Sequence, residues 1–521
     1  MRTSTRVAGL AGLLAAAAVL AAGCTSGQPQ PTTSRFTGTP TPSGTWAYPN
    51  GDLANTRDAA STISAKNVSS LREAWSFHLT GTAAAGVHGA GAFAANPVVI
   101  GGTVYMQDLD ANVYAISLAT GKLRWEYQVN IPEATGPGPD GVAVADGVVY
   151  GDTPSSVFAL NAKTGAVIWT NNGLLTSGQG TFEIQPTVAD GRVYLASAYG
   201  SGPGGGVLMA LAASSGKALW KFNTVVGPQA AGVAALGLGS GGAWQTPLVE
   251  SDGSVSFGIG NPYQSIGEAI THPSRQLYTD SVLNLDAATG KLRWYYQGVP
   301  NDFMDHDLQA SPISATVHGA PAIIGGGKVG IVYAMNAATG ALLWKTPVGV
   351  HNGTDDAGLL LLEHKLTIKL PYTWEPGSLG GVLTNMAVAD GSVYAAVINV
   401  ALKSTTMASA DGNASGGGPV DGDVEALNLA TGAVEWDTKV ASLPVGAATV
   451  SNDLVFTALV NGTLIALNRT TGAVVYSHKL PTTTNAPLAI FGNTVLVAAG
   501  GPGDSAKGGG GHPQLVAYSV P

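Results

Sequence analysis

VFALNAKTGAVIW (Val157–Trp169) is one of several near-copies of a single unit, and its reading decides the fold. Apolar and polar residues alternate through Val157–Asn161, the chain turns at Thr164-Gly165, and alternation resumes toward Trp169. Period-two alternation around a glycine turn is a β-hairpin. The other copies end at Trp125, Trp220, Trp294, Trp344, Trp436 and Tyr476; LMALAASSGKALW (Leu208–Trp220) and VYAMNAATGALLW (Val332–Trp344) are typical. A second hairpin usually precedes each copy, as in TVADGRVYLA (Thr187–Ala196) and AVADGSVYAA (Ala387–Ala396). Two hairpins make a four-stranded sheet that cannot cover its own faces, so the copies must stack around an axis as propeller blades.

Seven copies leave a ring to be closed. The C-terminal stretches APLAIFGNTVLVAAG and QLVAYSV read as strands, and LREAWSFHL (Leu71–Leu79) supplies a matching Trp75 strand from the other end of the chain. Closure by both termini removes exposed edges. The expected fold is all-β, an eight-bladed β-propeller over residues 45–521, with its ring closed by N- and C-terminal strands. Spacing between the turn glycines is short from Gly121 to Gly165 but long from Gly216 to Gly290 and from Gly340 to Gly432. The long gaps hold insertions, and loops are where function concentrates.

Charged residues make up 11% of the 521, so the surface must be built largely from small polar residues and glycine. Net charge is −9 with no basic patch, which argues against nucleic acid as a partner. The single cysteine, Cys24, rules out an intramolecular disulfide. Arg2 and Arg6 precede an apolar run from Val7 to Ala22 that ends in Leu20-Ala21-Ala22-Gly23-Cys24. This reads as a signal peptide over residues 1–23 with a lipobox-like end and lipidation at Cys24. The Pro-, Thr- and Ser-rich residues 24–44 form a flexible spacer. The expected location is extracytoplasmic, on a bacterial membrane, held by the lipid anchor only. A plain secreted protein is the alternative.

The repeats, together with WAYPNGDLANTR (Trp46–Arg57), resemble the pyrroloquinoline-quinone (PQQ) dehydrogenases, eight-bladed quinoproteins that oxidise alcohols or aldoses. Three further stretches carry the resemblance. GGAWQTPLVESDGSVSFGIGNPYQ (Gly241–Gln264) is similar to the segment holding the Trp under the quinone and an Asn that ligates Ca²⁺, which implies Trp244 as floor and Asn261 as ligand. LYTDSVLNLDAATGKLRWYYQGVPNDFMDHDLQASP (Leu277–Pro312) resembles the segment with the catalytic Asp, implying Asp302 as the base beside the metal. GGGKVGIVYAMNAATG (Gly325–Gly340) places Lys328 where the family has a Lys or Arg on the quinone oxygen. The plain structural alternatives are a blade Trp, a turn Asn, an exposed turn Lys, and a hydrogen-bonded loop of Asp302, Asp305, His306 and Asp307.

The chain departs from the family where the cofactor carboxylates are gripped. Phe93-Ala94-Ala95-Asn96-Pro97 lacks the family Glu, PDGVAVADGVVY (Pro139–Tyr150) lacks the adjacent cysteines and Arg, and AYGSGPGGG (Ala198–Gly206) lacks the metal-ligand Glu. Gly380-Gly381-Val382-Leu383-Thr384 lacks a family Trp. The resemblance implies PQQ and Ca²⁺ as cofactors, an alcohol, polyol or sugar substrate, and a separate electron acceptor, since the sequence has no Cys-x-x-Cys-His haem motif. Two other readings stay open. One is a cofactor-free scaffold resembling the lipoprotein propeller of outer-membrane assembly machinery. The other is a glycan-binding propeller using Tyr199 and Tyr263.

Overall fold

The computed structural model describes residues 45–80, 91–131, 138, 141–200, 205–226, 241–408, 420–501 and 512–521. The leader, Cys24 and the spacer lie outside the described residues, as does part of Ala198–Gly206. The described chain forms eight antiparallel blades, seven of four strands and the third with an added short strand, Thr181–Phe182. Blade 1 is Val98–Ile100, Thr103–Gln107, Val113–Ser117 and Leu123–Tyr127. Blade 8 joins Ala489–Phe491, Thr494–Ala499 and Gln514–Ser519 to the N-terminal strand Arg72–His78, with Trp75 opposite Ala517. The ring therefore closes as the alternation and the lone Trp75 strand imply.

The recurring Trp explains why the blades stack in register. Its indole N–H donates to a backbone carbonyl of the next blade, as in Trp75 to Leu118 (2.7 Å), Trp169 to Ala213 (2.9 Å) and Trp294 to Ala337 (2.8 Å). Its ring lies under the glycine of the next Thr-Gly turn. At Gly340, φ is +70° and a Cβ would stand 2.4 Å from the Trp294 ring, so no other residue fits. Where the motif carries Asn, that side chain ties its own turn: Asn336 Oδ1 accepts from the amides of Ala338 and Thr339. Middle strands are buried throughout, and outermost strands alternate exposed and half-buried, which puts the core between blades.

The segment before blade 8 crosses the inner strands. Trp46 bridges Val99, Asp58 bridges Val450 and Ser61 bridges Gly492. Arg57 is completely buried and donates to Ala448 O, Leu488 O, Asn50 Oδ1, Asn96 Oδ1 and Thr449 Oγ1, stapling the segment to three blades. Burial lowers its pKa to about 9.

Both long gaps hold inserted structure. Helix Ile266–Thr271, closed by a Ser265–Glu268 capping box, helix Ala357–Leu362, and the strand pair Tyr372–Trp374 with Leu402–Ser404 share a small core. Phe303 and Met304 belong to that core. The insertions thus buttress the loop between blades 4 and 5. No helix among the described residues is long and apolar enough to cross a membrane.

Candidate active site

Blades 4 and 5 bring their connecting loops together at one end of the barrel. Trp244 precedes the inner strand Leu248–Val249 of blade 4, and Asn261 follows the next strand, Ser254–Gly258. Lys328 lies between Ala320–Gly326 and Ile331–Asn336 of blade 5. Packing is tight here: a Cβ on Gly327 would stand 1.9 Å from Asp307 O, and one on Gly260 would meet both Trp244 and Asp307.

Lys328 lies in a turn but is buried rather than exposed, and its ammonium sits 2.8 Å from Asp305 and 2.6 Å from Asp307. Burial works against its charge, yet Asp307 and Asp305 outweigh that and raise its pKa above the ordinary lysine value. The ammonium is 5.8 Å from the centre of the Trp244 ring. Asn261 donates through its backbone N–H (2.6 Å) and its amide (2.9 Å) to Asp307, and its amide also bonds Asp305. Its Oδ1 accepts from Tyr263 N.

Asp302 requires a correction. Its carboxylate accepts from the amides of Met304 (3.0 Å) and His306 (2.9 Å), so it holds the turn and makes no hydrogen bond to Asn261 or Lys328. The acids that reach those two residues are Asp305 and Asp307. Neither the base nor the metal ligand expected at Asp302 matches this geometry. Burial raises the Asp302 pKa to about 7. His306 turns away from the acids and places Nε2 3.0 Å from Pro376 O, while burial lowers its pKa to about 4 and keeps it neutral. Phe303 meets Trp374 edge-on at 5.4 Å. The loop is therefore divided: Phe303, Met304 and His306 face the insertion, Asp305 and Asp307 the site.

Sequence reasoning missed Asp280. It is fully buried, and burial first, then the charges of Asp302 and Asp307, raise its pKa well above the usual carboxylate value. Asp280 lies immediately before strand Ser281–Asp286, which itself carries Ser281, Asn284 and Asp286, so little local signal was available. For Asp305 and Asp307 the only signal was an acid-rich loop, because Asp305 has φ +60° and the strand rule for alternate residues does not hold there.

Trp244 also lines an axial cavity of about 140 Å³. Asn96, Gln185, Gln245, Asn385 and Asn485 share the wall, which carries no charged side chain among the described residues. Beneath it, Arg57 reaches Asn96 at 2.7 Å.

The donor set suits a hard cation. Asp305 and Asp307 offer carboxylate oxygens, and Asn261, whose amide N–H group faces them here, would offer its oxygen once that amide turned toward a bound cation; the two carboxylates carry one more negative charge than Lys328 neutralises. Trp244 offers a flat aromatic floor, and the amide wall can hydrogen-bond an acid without an Arg.

An eight-bladed propeller with an acid–lysine cluster over a tryptophan is the architecture of a quinoprotein. The chain belongs to that family: residues 46–349 match the glucose/ethanol/alcohol dehydrogenase β-propeller domain of the PQQ family. Residues 420–519 match the model described as outer membrane protein assembly factor BamB. The quinoprotein alcohol dehydrogenase PedH of Pseudomonas putida is 26% identical over 272 residues, covering 47% of this chain and 44% of the relative. The quinohemoprotein alcohol dehydrogenase of Comamonas testosteroni is 25% identical over 353 residues, or 60% of this chain and 48% of the relative. Its crystal structure superposes with a TM-score of 0.78 at 23% identity, covering 93% of this chain and 82% of that one. A europium-containing methanol dehydrogenase gives 0.74 at 19% identity, covering 92% and 98%. These two likenesses establish the fold. The chain spans about half the length of the curated relatives it matches.

Proposed function

We propose that this protein is a PQQ-dependent dehydrogenase that oxidises an alcohol, polyol or sugar hydroxyl with the help of a bound calcium or lanthanide ion. The observation that carries the reading is the meeting of Asn261, Asp305, Asp307 and Lys328 beside Trp244. Bound quinone supplies a hydride acceptor, and bound cation a Lewis acid.

Asp305 is the general base of this proposal, in place of Asp302. Its side chain keeps some solvent access, whereas that of Asp307 has none. It takes the proton of the substrate hydroxyl, and Lys328 offers an N–H where negative charge develops. Asn261, Asp305 and Asp307 hold the cation, and Asp302 and His306 keep the two acids in place. Trp244 carries the flat ring of the quinone. Lipidation at Cys24 and an extracytoplasmic location belong to the same proposal; metabolic labelling with a fatty-acid analogue, lost in Cys24→Ala, tests them.

The experiment is a calorimetric titration of PQQ into the protein with Ca²⁺, with La³⁺ and with neither. Saturable, cation-dependent binding that weakens in Asp305→Ala and Asn261→Ala supports the site. Absence of binding by folded protein at high micromolar PQQ removes it. The match of residues 420–519 to the BamB model then favours the second reading, a cofactor-free envelope scaffold.

A further inference from the structure

Two tyrosines beside the acid cluster share an unusual backbone. Tyr199 has φ +55° and Tyr263 has φ +54°, and no other tyrosine, phenylalanine or tryptophan among the described residues has positive φ. A bulky side chain in the left-handed region is strained, and such strain persists where the surroundings enforce it, commonly at functional sites. The two come from different blades. Tyr199 follows strand Arg192–Ala198 of blade 3, and Tyr263 follows Ser254–Gly258 of blade 4. Their rings are nevertheless parallel within 6°, with centroids 6.3 Å apart.

Burial does not account for the pair, because Tyr199 remains 43% exposed. Its position does bear on the site. Its phenol is nonetheless desolvated enough to raise its pKa above the ordinary tyrosine value, and the charges of Glu183, Lys328, Asp307 and Asp305 also reach it. The backbone N–H of Tyr263 donates to Asn261 Oδ1 at 2.6 Å, which couples that tyrosine's backbone to a proposed cation ligand.

We infer that the exposed face of Tyr199, backed by the parallel ring of Tyr263, forms a stacking platform for the ring of a pyranose substrate. The inference rests on the dehydrogenase reading and narrows its substrate class. Flat, partly exposed phenol faces accept the C–H face of a saccharide ring, while the nearby carboxylates and amides accept its hydroxyl protons. An aromatic alcohol would find the flat face but not a use for so many acceptors.

The test is saturation-transfer NMR on the full chain with glucose, galactose and mannose, in parallel with the PQQ titration. The expected result is transfer to ring C–H protons of at least one hexose. Affinity should fall roughly three- to ten-fold in Tyr199→Ala and Tyr263→Ala, and stay near wild type in Tyr199→Phe and Tyr263→Phe. Equal hexose binding in the alanine variants overturns the platform. So does a loss confined to PQQ affinity, which would make the tyrosines cofactor contacts. A wild-type chain that binds PQQ but no hexose removes the platform alone, and one that binds hexose but no PQQ removes the dehydrogenase and keeps the platform.

Discussion

Asp302 and Asp305 differ by three positions and face different tasks, and that contrast is the sharpest residue-level test. Asp305→Asn keeps shape and removes the proposed base, so on the dehydrogenase proposal kcat should fall about 100-fold or more in a dye-coupled assay. Asp302→Asn removes one acceptor oxygen from a turn; the thermal midpoint should drop, while kcat changes by less than about ten-fold. The reverse pattern would return the base to Asp302. Gly340→Ala tests the blade contact, because its Cβ would enter the Trp294 ring from a left-handed backbone. A loss of about 2 kcal/mol or more in urea unfolding is expected. Much at this scale was legible in sequence: Trp244, Asn261 and Lys328 do meet. A Pro-x-Asp step says nothing about which carboxylate a loop turns toward its own amides, so the choice of Asp302 or Asp305 as base rests on these two variants.

Within elements, strand Asp421–Asn428 carries an unusual load. Asp421, Asp423 and Glu425 alternate along one face, and Glu425 stands opposite Asp437 on the neighbouring strand Val434–Val440. Lys439 meets Asp423 at 2.7 Å, and Gly349 N donates to Glu425. Burial first raises the Glu425 pKa to about 7 from 4.5, with Asp437 and Asp423 adding to it. The sign follows from linkage. The folded state holds a proton that the unfolded state releases, so this contribution is complete below about pH 4.5 and is lost as pH rises through about 7. Glu425→Gln should flatten the fall in stability between pH 5 and pH 8, read from urea midpoints; an unchanged slope would place the effect elsewhere. The strands themselves were readable from alternation. The two short helices and the strand pair of the insertions were not, because their small core depends on Phe303 and Met304 arriving from a distant loop.

Across the whole molecule, closure matters most. The strand Gln514–Ser519 lies inside blade 8, between Thr494–Ala499 and the N-terminal Arg72–His78. Deleting residues 513–521 would strip a ladder from both neighbours and expose apolar faces of that blade. The expected outcome is loss of a single cooperative thermal transition and binding of a hydrophobic dye, both measurable on the shortened chain; retention of the wild-type transition would show that the ring tolerates a gap. Arg57 acts at the same scale, tying the N-terminal segment to strands more than 300 residues away.

The sequence by itself determined the blade, because alternation, Thr-Gly turns and a fixed Trp are local and repeat along the chain. It also determined ring closure, since the Trp75 strand and the last strand each lack a complete blade of their own. Tertiary structure alone decided which acids meet the lysine. That choice depends on how a loop held by Pro376 and Trp374 divides its side chains between two neighbours, and no local pattern encodes contacts supplied by an insertion some 70 residues further on.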